Sequence, residues 1–162
     1  MWWCDRRAVL IAALALAGCG FEPSFGPEGA AQGLRGTVLI DDPGNRDAYL
    51  LTRRIEDRLG RSDAPRYGLT LTVSMTEELS ALTATNFIER YKLVGAATWV
   101  LRDLGTGAVL AQDQTSSFTG YSTTGTTVAT LAAARDARER LAVIMADQIV
   151  AQLLTRAPSL PE

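Results

Sequence analysis

Apolar residues recur along this chain with three spacings, and each spacing marks a different kind of element. Near the start, ten consecutive apolar residues, Ala8 to Ala17, follow Arg6 and Arg7. That run is too short to span a bilayer as a mature helix but suits the apolar segment of a signal peptide. Steps of three and four place Ala48, Leu51, Ile55 and Leu59 on one helix face. Asn45 or Asp47 can cap that helix, and Gly60 falls where a helix ends in the left-handed αL conformation. Arg53, Arg54, Glu56, Asp57 and Arg58 fill its other, solvated face. The same periodicity returns from about Thr127 to Arg156 through Ala134, Ala137, Leu141, Met145, Ile149 and Leu153, with Pro158 closing the run. Thirty residues of helix would measure about 45 Å.

A period of two governs the region between the helices. Tyr67, Leu69, Leu71, Val73 and Met75 alternate with Gly68, Thr70, Thr72 and Ser74, so one strand face is buried and the other wet. After Glu77 and Glu78 a looser stretch leads to a long third strand, from Glu89 to Leu101, with Tyr91, Leu93, Ala97 and Trp99 on one parity. Asp103-Leu104-Gly105-Thr106-Gly107 is a hairpin turn into a fourth strand, about Ala108 to Tyr121. Ahead of these, Thr37 to Ile40 is a short first strand ended by Asp41-Asp42-Pro43-Gly44. Ser and Thr dominate Thr115 to Thr130, which reads as strand end plus loop or as a hydrogen-bonding surface. The fold expected is α+β: a two-layer sandwich in the order β-α-β-β-β-α, with a four-stranded, mostly antiparallel sheet and two helices on one face. Val94, Ala96 and Val100 share the opposite parity of the third strand, so part of the second sheet face should be exposed or covered by a partner.

Composition then shortens the list of functions. The chain has 162 residues, 16 basic and 18 acidic side chains and a net charge of −2, so it lacks the basic excess of a nucleic-acid binder. Histidine is absent and Lys92 is the only lysine, which removes His-based acid/base chemistry, His metal ligation and Ser/Lys dyads. No G-x-S-x-G, P-loop, G-x-G-x-x-G, C-x-x-C or EF-hand spacing occurs. Asp41, Asp42 and Asp47 around a turn, and the pair Glu77-Glu78, could serve a carboxylate metal or glycosidase site. Turn and helix-cap roles for the first group, and a solvated strand end for the second, explain them more simply. No catalytic residue, cofactor or metal is expected.

Cysteine usage decides the compartment. Leu16-Ala17-Gly18-Cys19 resembles the bacterial lipobox, in which signal peptidase II cuts between Gly18 and Cys19 once that thiol carries a diacylglyceryl group. An ordinary signal peptide cut near Ala17, leaving Cys19 as a free thiol, is the alternative. Arg6-Arg7 reads as a plain positive n-region or as a twin-arginine signal. Residues 1–18 are thus expected to be a lipoprotein signal peptide, 19–36 a lipidated N-terminus and tether, 37–157 the α+β domain and 158–162 a tail. Cys4 falls in the discarded segment, so the mature core has no disulfide to rely on. Its 144 residues can bury roughly two-thirds of their unfolded surface, enough for one core. Three acyl chains on Cys19 would anchor it stably.

Taken in order, the lipobox, Gly18-Cys19-Gly20-Phe21-Glu22-Pro23, the strand start Glu89-Arg90-Tyr91-Lys92-Leu93, the turn Asp103 to Gly107 with Val109-Leu110, and Ala134-Arg135-Asp136-Ala137 leading to Leu141-Ala142 resemble the alphaproteobacterial form of the LptE family, over essentially the whole chain. The resemblance implies an outer-membrane lipoprotein, facing the periplasm, that plugs the LptD β-barrel, helps it fold and assists lipopolysaccharide delivery without making or breaking a bond. The absence of Asp after Cys19 agrees with the outer membrane. Family members are described as binding lipopolysaccharide through basic residues beside the strands and ahead of the last helix. This chain departs from that pattern, because Met75 to Ile88 and Thr115 to Ala134 contain no Lys or Arg. Arg90 and Lys92, two apart and so on one strand face, are the candidate contacts for lipid A phosphates. A solvated face balanced by Glu89 is the plainer account of them. An accessory lipoprotein of a lipid-transporting ABC system of MCE type shares the same organisation and is the alternative, and a periplasmic carboxylate hydrolase is a third reading. Cys19→Ala should leave a full-length precursor in envelope fractions, seen by mass spectrometry; normal maturation of that variant would sink the lipoprotein reading.

Overall fold

The computed structural model describes residues 32–82, 88–123 and 125–160, with the backbone alone at 81, 82, 88 and 89. Strand β1 (Val38–Ile40) leads into helix α1 (Arg46–Leu59). Strands β2 (Tyr67–Leu82), β3 (Ile88–Asp103) and β4 (Val109–Ser122) follow, and then helix α2 (Thr127–Arg156). The sheet order is β1-β2-β3-β4. β1 pairs in parallel with β2, and the two remaining ladders are antiparallel. This is the expected α+β order, with the parallel pair made possible by the crossover through α1. No described helix is long and apolar enough to cross a membrane.

Local chemistry explains the helix ends. The Asn45 side chain accepts from Ala48 N at 2.7 Å, which satisfies one of the amide groups left over in the first turn of α1. Gly60 ends the helix at positive φ, but with ψ of 155° instead of the αL value expected from sequence. It turns outward at once, because the Gly36 amide donates to Leu59 O at 2.9 Å and ties the loop ahead of β1 to this end of α1. Thr126 caps α2, whose bounds match the periodicity in the sequence. Leu34, ahead of the expected start of the domain at Thr37, is fully buried.

β2 differs most from expectation. It runs through Glu77, Glu78 and Ser80 to Leu82 where the sequence suggested a looser stretch. Those residues lack an apolar alternation, but pairing with β3 from Tyr67↔Asp103 to Leu82↔Ile88 holds them in the ladder. Tertiary pairing overrides weak local propensity here.

The core lies between the sheet and both helices. Leu69, Ala97, Trp99, Leu93 and Leu101 from the strands meet Leu51 and Ile55 of α1 and Leu141, Met145, Ile149 and Leu153 of α2. A side chain on Gly95 would begin 2.5 Å from Met145 Sδ and 3.1 Å from a Leu141 methyl, so glycine lets α2 sit directly on the middle strand. Buried Trp99 directs Nε1–H to Gln152 Oε1 at 2.7 Å, so its one polar group is satisfied. Leu141 has no solvent exposure. Leu141→Asp would bury a carboxylate against apolar neighbours and should cost about 4 kcal/mol or more. Thermal unfolding of the variant at the wild-type temperature would show that the helix face has been misassigned.

Candidate functional site

The alternation of the strands sorts the candidate residues onto two sides of one sheet. Between the register shifts, odd-numbered residues from Tyr67 to Leu79, Tyr91 to Leu101 and Ala111 to Tyr121 are on the side that faces the helices, and even-numbered ones face outward. On the outward side the central rows carry Thr72, Ser74, Thr98, Gln114 and Ser116, with Val94, Ala96 and Val100 between them. None of these is charged. Phe118, paired with Val94, projects from the same side and is 65% exposed.

Charged residues mark the two ends of this open face. Arg90 and Lys92 lie together at the end near the β2–β3 connection, as their spacing predicts. Lys92 Nζ is 3.9 Å from Glu78 Oε2 and 4.8 Å from the centre of the Phe118 ring. Its charge is therefore shared between a carboxylate and an aromatic face. Arg90 is exposed. At the other end Arg102 Nη1 donates to Thr70 Oγ1 at 2.8 Å, and that hydroxyl donates to Asp41 Oδ2 at 2.6 Å.

Two of the acidic candidates are structural partners on the helix side. Asp47, at the start of α1, and Glu77, in β2, both bind Arg138 of α2, at 3.2 and 3.0 Å. The guanidinium fork thus joins three elements. Tyr121 stacks on Tyr91 with ring centres 5.5 Å apart. Burial pushes its phenol above the usual range, and the neighbouring Glu77 carboxylate pushes it further. In the β3–β4 turn, hydrogen bonds from the Thr106 amide and hydroxyl hold the Asp103 carboxyl below the usual range. Glu78 points the other way, to Lys92. The proposed acidic pairs are thus divided between two faces, and among the described residues no group of three acidic or cysteine side chains could hold a metal ion. Gly18 and Cys19 lie outside the described residues, as does the Glu89 side chain. Sequence reasoning missed Arg138 and Phe118. The partners of the first are 91 and 61 positions away in the chain, and the exposure of the second depends on sheet order.

The chain is thus a two-layer α+β domain, with charged helices on one side of the sheet and an open face with an uncharged centre on the other. Residues 36–153 match the LptE lipopolysaccharide-assembly family, and the chain belongs to it. Three solved structures share the fold. A protein described as a lipoprotein from Caulobacter crescentus has a TM-score of 0.68 and 24% identity, covering 81% of this chain and 97% of that one. Rare lipoprotein B from Shewanella oneidensis has 0.56 and 15%, covering 74% and 92%. A minor lipoprotein from Acinetobacter baumannii has 0.53 and 14%, covering 74% and 89%. No curated protein matches the chain.

The Arg138 clasp is accessible to test. Arg138→Met keeps the aliphatic stem but leaves Asp47 and Glu77 without their shared cation, and should lower stability by about 1–2 kcal/mol, given that all three groups are partly solvated. Urea unfolding measures this, and identical midpoints for variant and wild type would show that the clasp contributes nothing.

Proposed function

We propose that this chain is an outer-membrane lipoprotein, anchored through Cys19, that sits inside an LptD-type β-barrel, assists its folding and takes part in lipopolysaccharide delivery. The family match over residues 36–153 carries this reading, and the names of the three structures given above, each a lipoprotein, agree with it. The role is non-catalytic: the protein contributes shape and surface.

The geometry suits that role. The inner wall of a large barrel is polar and wet, and the hydroxyl and amide groups of the open face can exchange water for wall groups without stranding a charge. Twelve residues lie between Cys19 and Gln32, and the thirteen steps reach at most about 45 Å when extended. That tether confines the domain to the neighbourhood of its membrane and raises its effective concentration toward a membrane partner. Gln32 precedes β1, whose first residue pairs with Tyr67 at the start of β2, and the last residues of β2 and β4 lie at the opposite, distal end of the sheet. Arg90 and Lys92 are on that distal end, where they would offer cationic contacts to lipid A phosphates, with Arg90 the less engaged of the two.

Affinity purification of a C-terminally tagged full-length chain from detergent-solubilised envelopes, followed by mass spectrometry, tests the reading. Stoichiometric recovery of a large LptD-type barrel is the expected result. Recovery of inner-membrane transporter subunits in place of a barrel would overturn it.

A further inference from the structure

The two outer edges of the sheet are closed differently. β4, fourteen residues long, is the outermost strand on the side away from β1. Its hydrogen-bonding phase is fixed by its neighbours: Leu104 N donates to Arg66 O and Asp103 N to Ala108 O. Even-numbered residues of β3 therefore bond to β2, and odd-numbered ones to β4. Through the pairs Ala97↔Thr115 and Gly95↔Ser117, the even-numbered residues of β4 direct N–H and C=O away from the sheet. Side chains close this outward row at two places. Gln114 N donates to the Asp113 carboxylate at 2.8 Å, while Gln114 O accepts from Gln152 at 3.3 Å. Gly120 O accepts from Arg140 at 3.4 Å. Between these caps, no side chain of the described residues reaches the outward groups of Ser116 and Phe118.

An apolar side chain stands on each side of that gap. Phe118 flanks it on the open face. On the helix side Ile144, 40% exposed, sits one turn from Arg140 and one turn from Gln148, the residues that reach Gly120 and Thr115. Exposed edges are ordinarily blunted by charge, proline or a bulge. β4 has none of these between Gln114 and Gly120. The opposite edge has several: beyond Ile40, Asn45 caps Val73 O, Glu77 and Glu78 follow, and the register breaks between Leu79 and Leu82.

We infer that Ser116 to Phe118 of β4 is a strand-addition site, at which an extended, uncharged segment of the barrel partner adds a fifth strand. Successive side chains of that segment would meet Phe118 on one face and Ile144 on the other. This rests on the barrel-plug reading. The segment is uncharged because the nearest charges are already matched, Lys92 by Glu78, Asp113 by Arg156 and Arg140 by Asp136, so a charge brought to the gap would lose water without gaining a counter-ion. A second copy fits less well. Antiparallel pairing, the more stable geometry, would send the amino-terminal ends of two copies in opposite directions, away from a shared bilayer.

Ser116→Pro removes only an outward N–H that this sheet does not use, and proline is tolerated on edge strands. Phe118→Lys installs the missing charge. In tagged full-length chains both are expected to lower barrel recovery from solubilised envelopes about tenfold, with thermal unfolding unchanged and Arg135→Gln recovering the barrel as the wild type does. In the wild-type complex, hydrogen–deuterium exchange over residues 112–122 should slow about tenfold relative to the free chain. If Ser116→Pro does not fold, Phe118→Lys and the exchange measurement decide. Undiminished recovery by the folded variants, with no slowing of exchange, overturns the site and leaves the plug reading standing. A wild-type chain that recovers no barrel overturns both. Slowing that appears in the free chain as its concentration rises makes the occupant a second copy and overturns the proposal.

Discussion

The seating of α2 on the centre of the sheet sets the position of nearly everything else. Gly95 is the one glycine of β3, and Met145 and Leu141 occupy the space that a side chain there would fill. At that depth the stripe from Ala137 to Leu153 fills the space over Leu93, Trp99 and Leu101, and interior packing leaves little tolerance for a different height. α1 then lies beside α2, fastened by Arg54 to Asp147 at 3.1 Å. The hydrogen bond to Asp147 raises the Arg54 pKa above its ordinary value, and the carboxylate's charge adds to the effect. Arg138 comes within reach of both α1 and β2.

One consequence is a segregation of charge. With both helices on one side, the ion pairs that tie the helices to other elements, Arg54 to Asp147, Arg138 to Asp47 and Glu77, and Arg156 to Asp113, fall on the helix side or at its margin, while Lys92 to Glu78 lies at one end of the open face. The centre of the opposite face is left with hydroxyls, amides and small apolar groups. Covering a charged face costs the hydration of every ion on it, while covering an uncharged polar face exchanges one set of hydrogen bonds for another. A domain that must be enclosed by another protein is therefore more easily received through its sheet than through its helices.

Legibility in the sequence followed the range of the interactions involved. The bounds of α2 could be read because i, i+4 periodicity and a closing proline are local signals. The Asn45 cap and the Asp103 to Gly107 turn were legible for the same reason. The far half of β2 was not, since Glu77 to Leu82 are strand only by virtue of partners in β3. Nor was the clasp at Arg138, which converges from three distant segments. Arg90 and Lys92 were placed on one face by their spacing, yet the engagement of Lys92 by Glu78 and Phe118 needed the registers of two ladders. Cys19 lies outside the described residues, and the lipobox reading of it concerns processing, on which the fold has no bearing.

The asymmetry of the two sheet edges ties the fold to the proposed role. A long strand edge without gatekeepers invites indiscriminate pairing, and the proposed membrane anchor would add to that hazard by raising local concentration. Closing the whole of β4 with charge would remove the hazard and any use of the edge together. Caps at Gln114 and Gly120 do something different: they leave a gap only long enough for the outward groups of two residues. A strand entering that gap can form few hydrogen bonds, so pairing is weak unless side chains on both faces find Phe118 and Ile144 at once. Register, which a long bare edge leaves undefined, is then set by two caps and two apolar contacts, all held in place by a helix whose height over the sheet is fixed at Gly95.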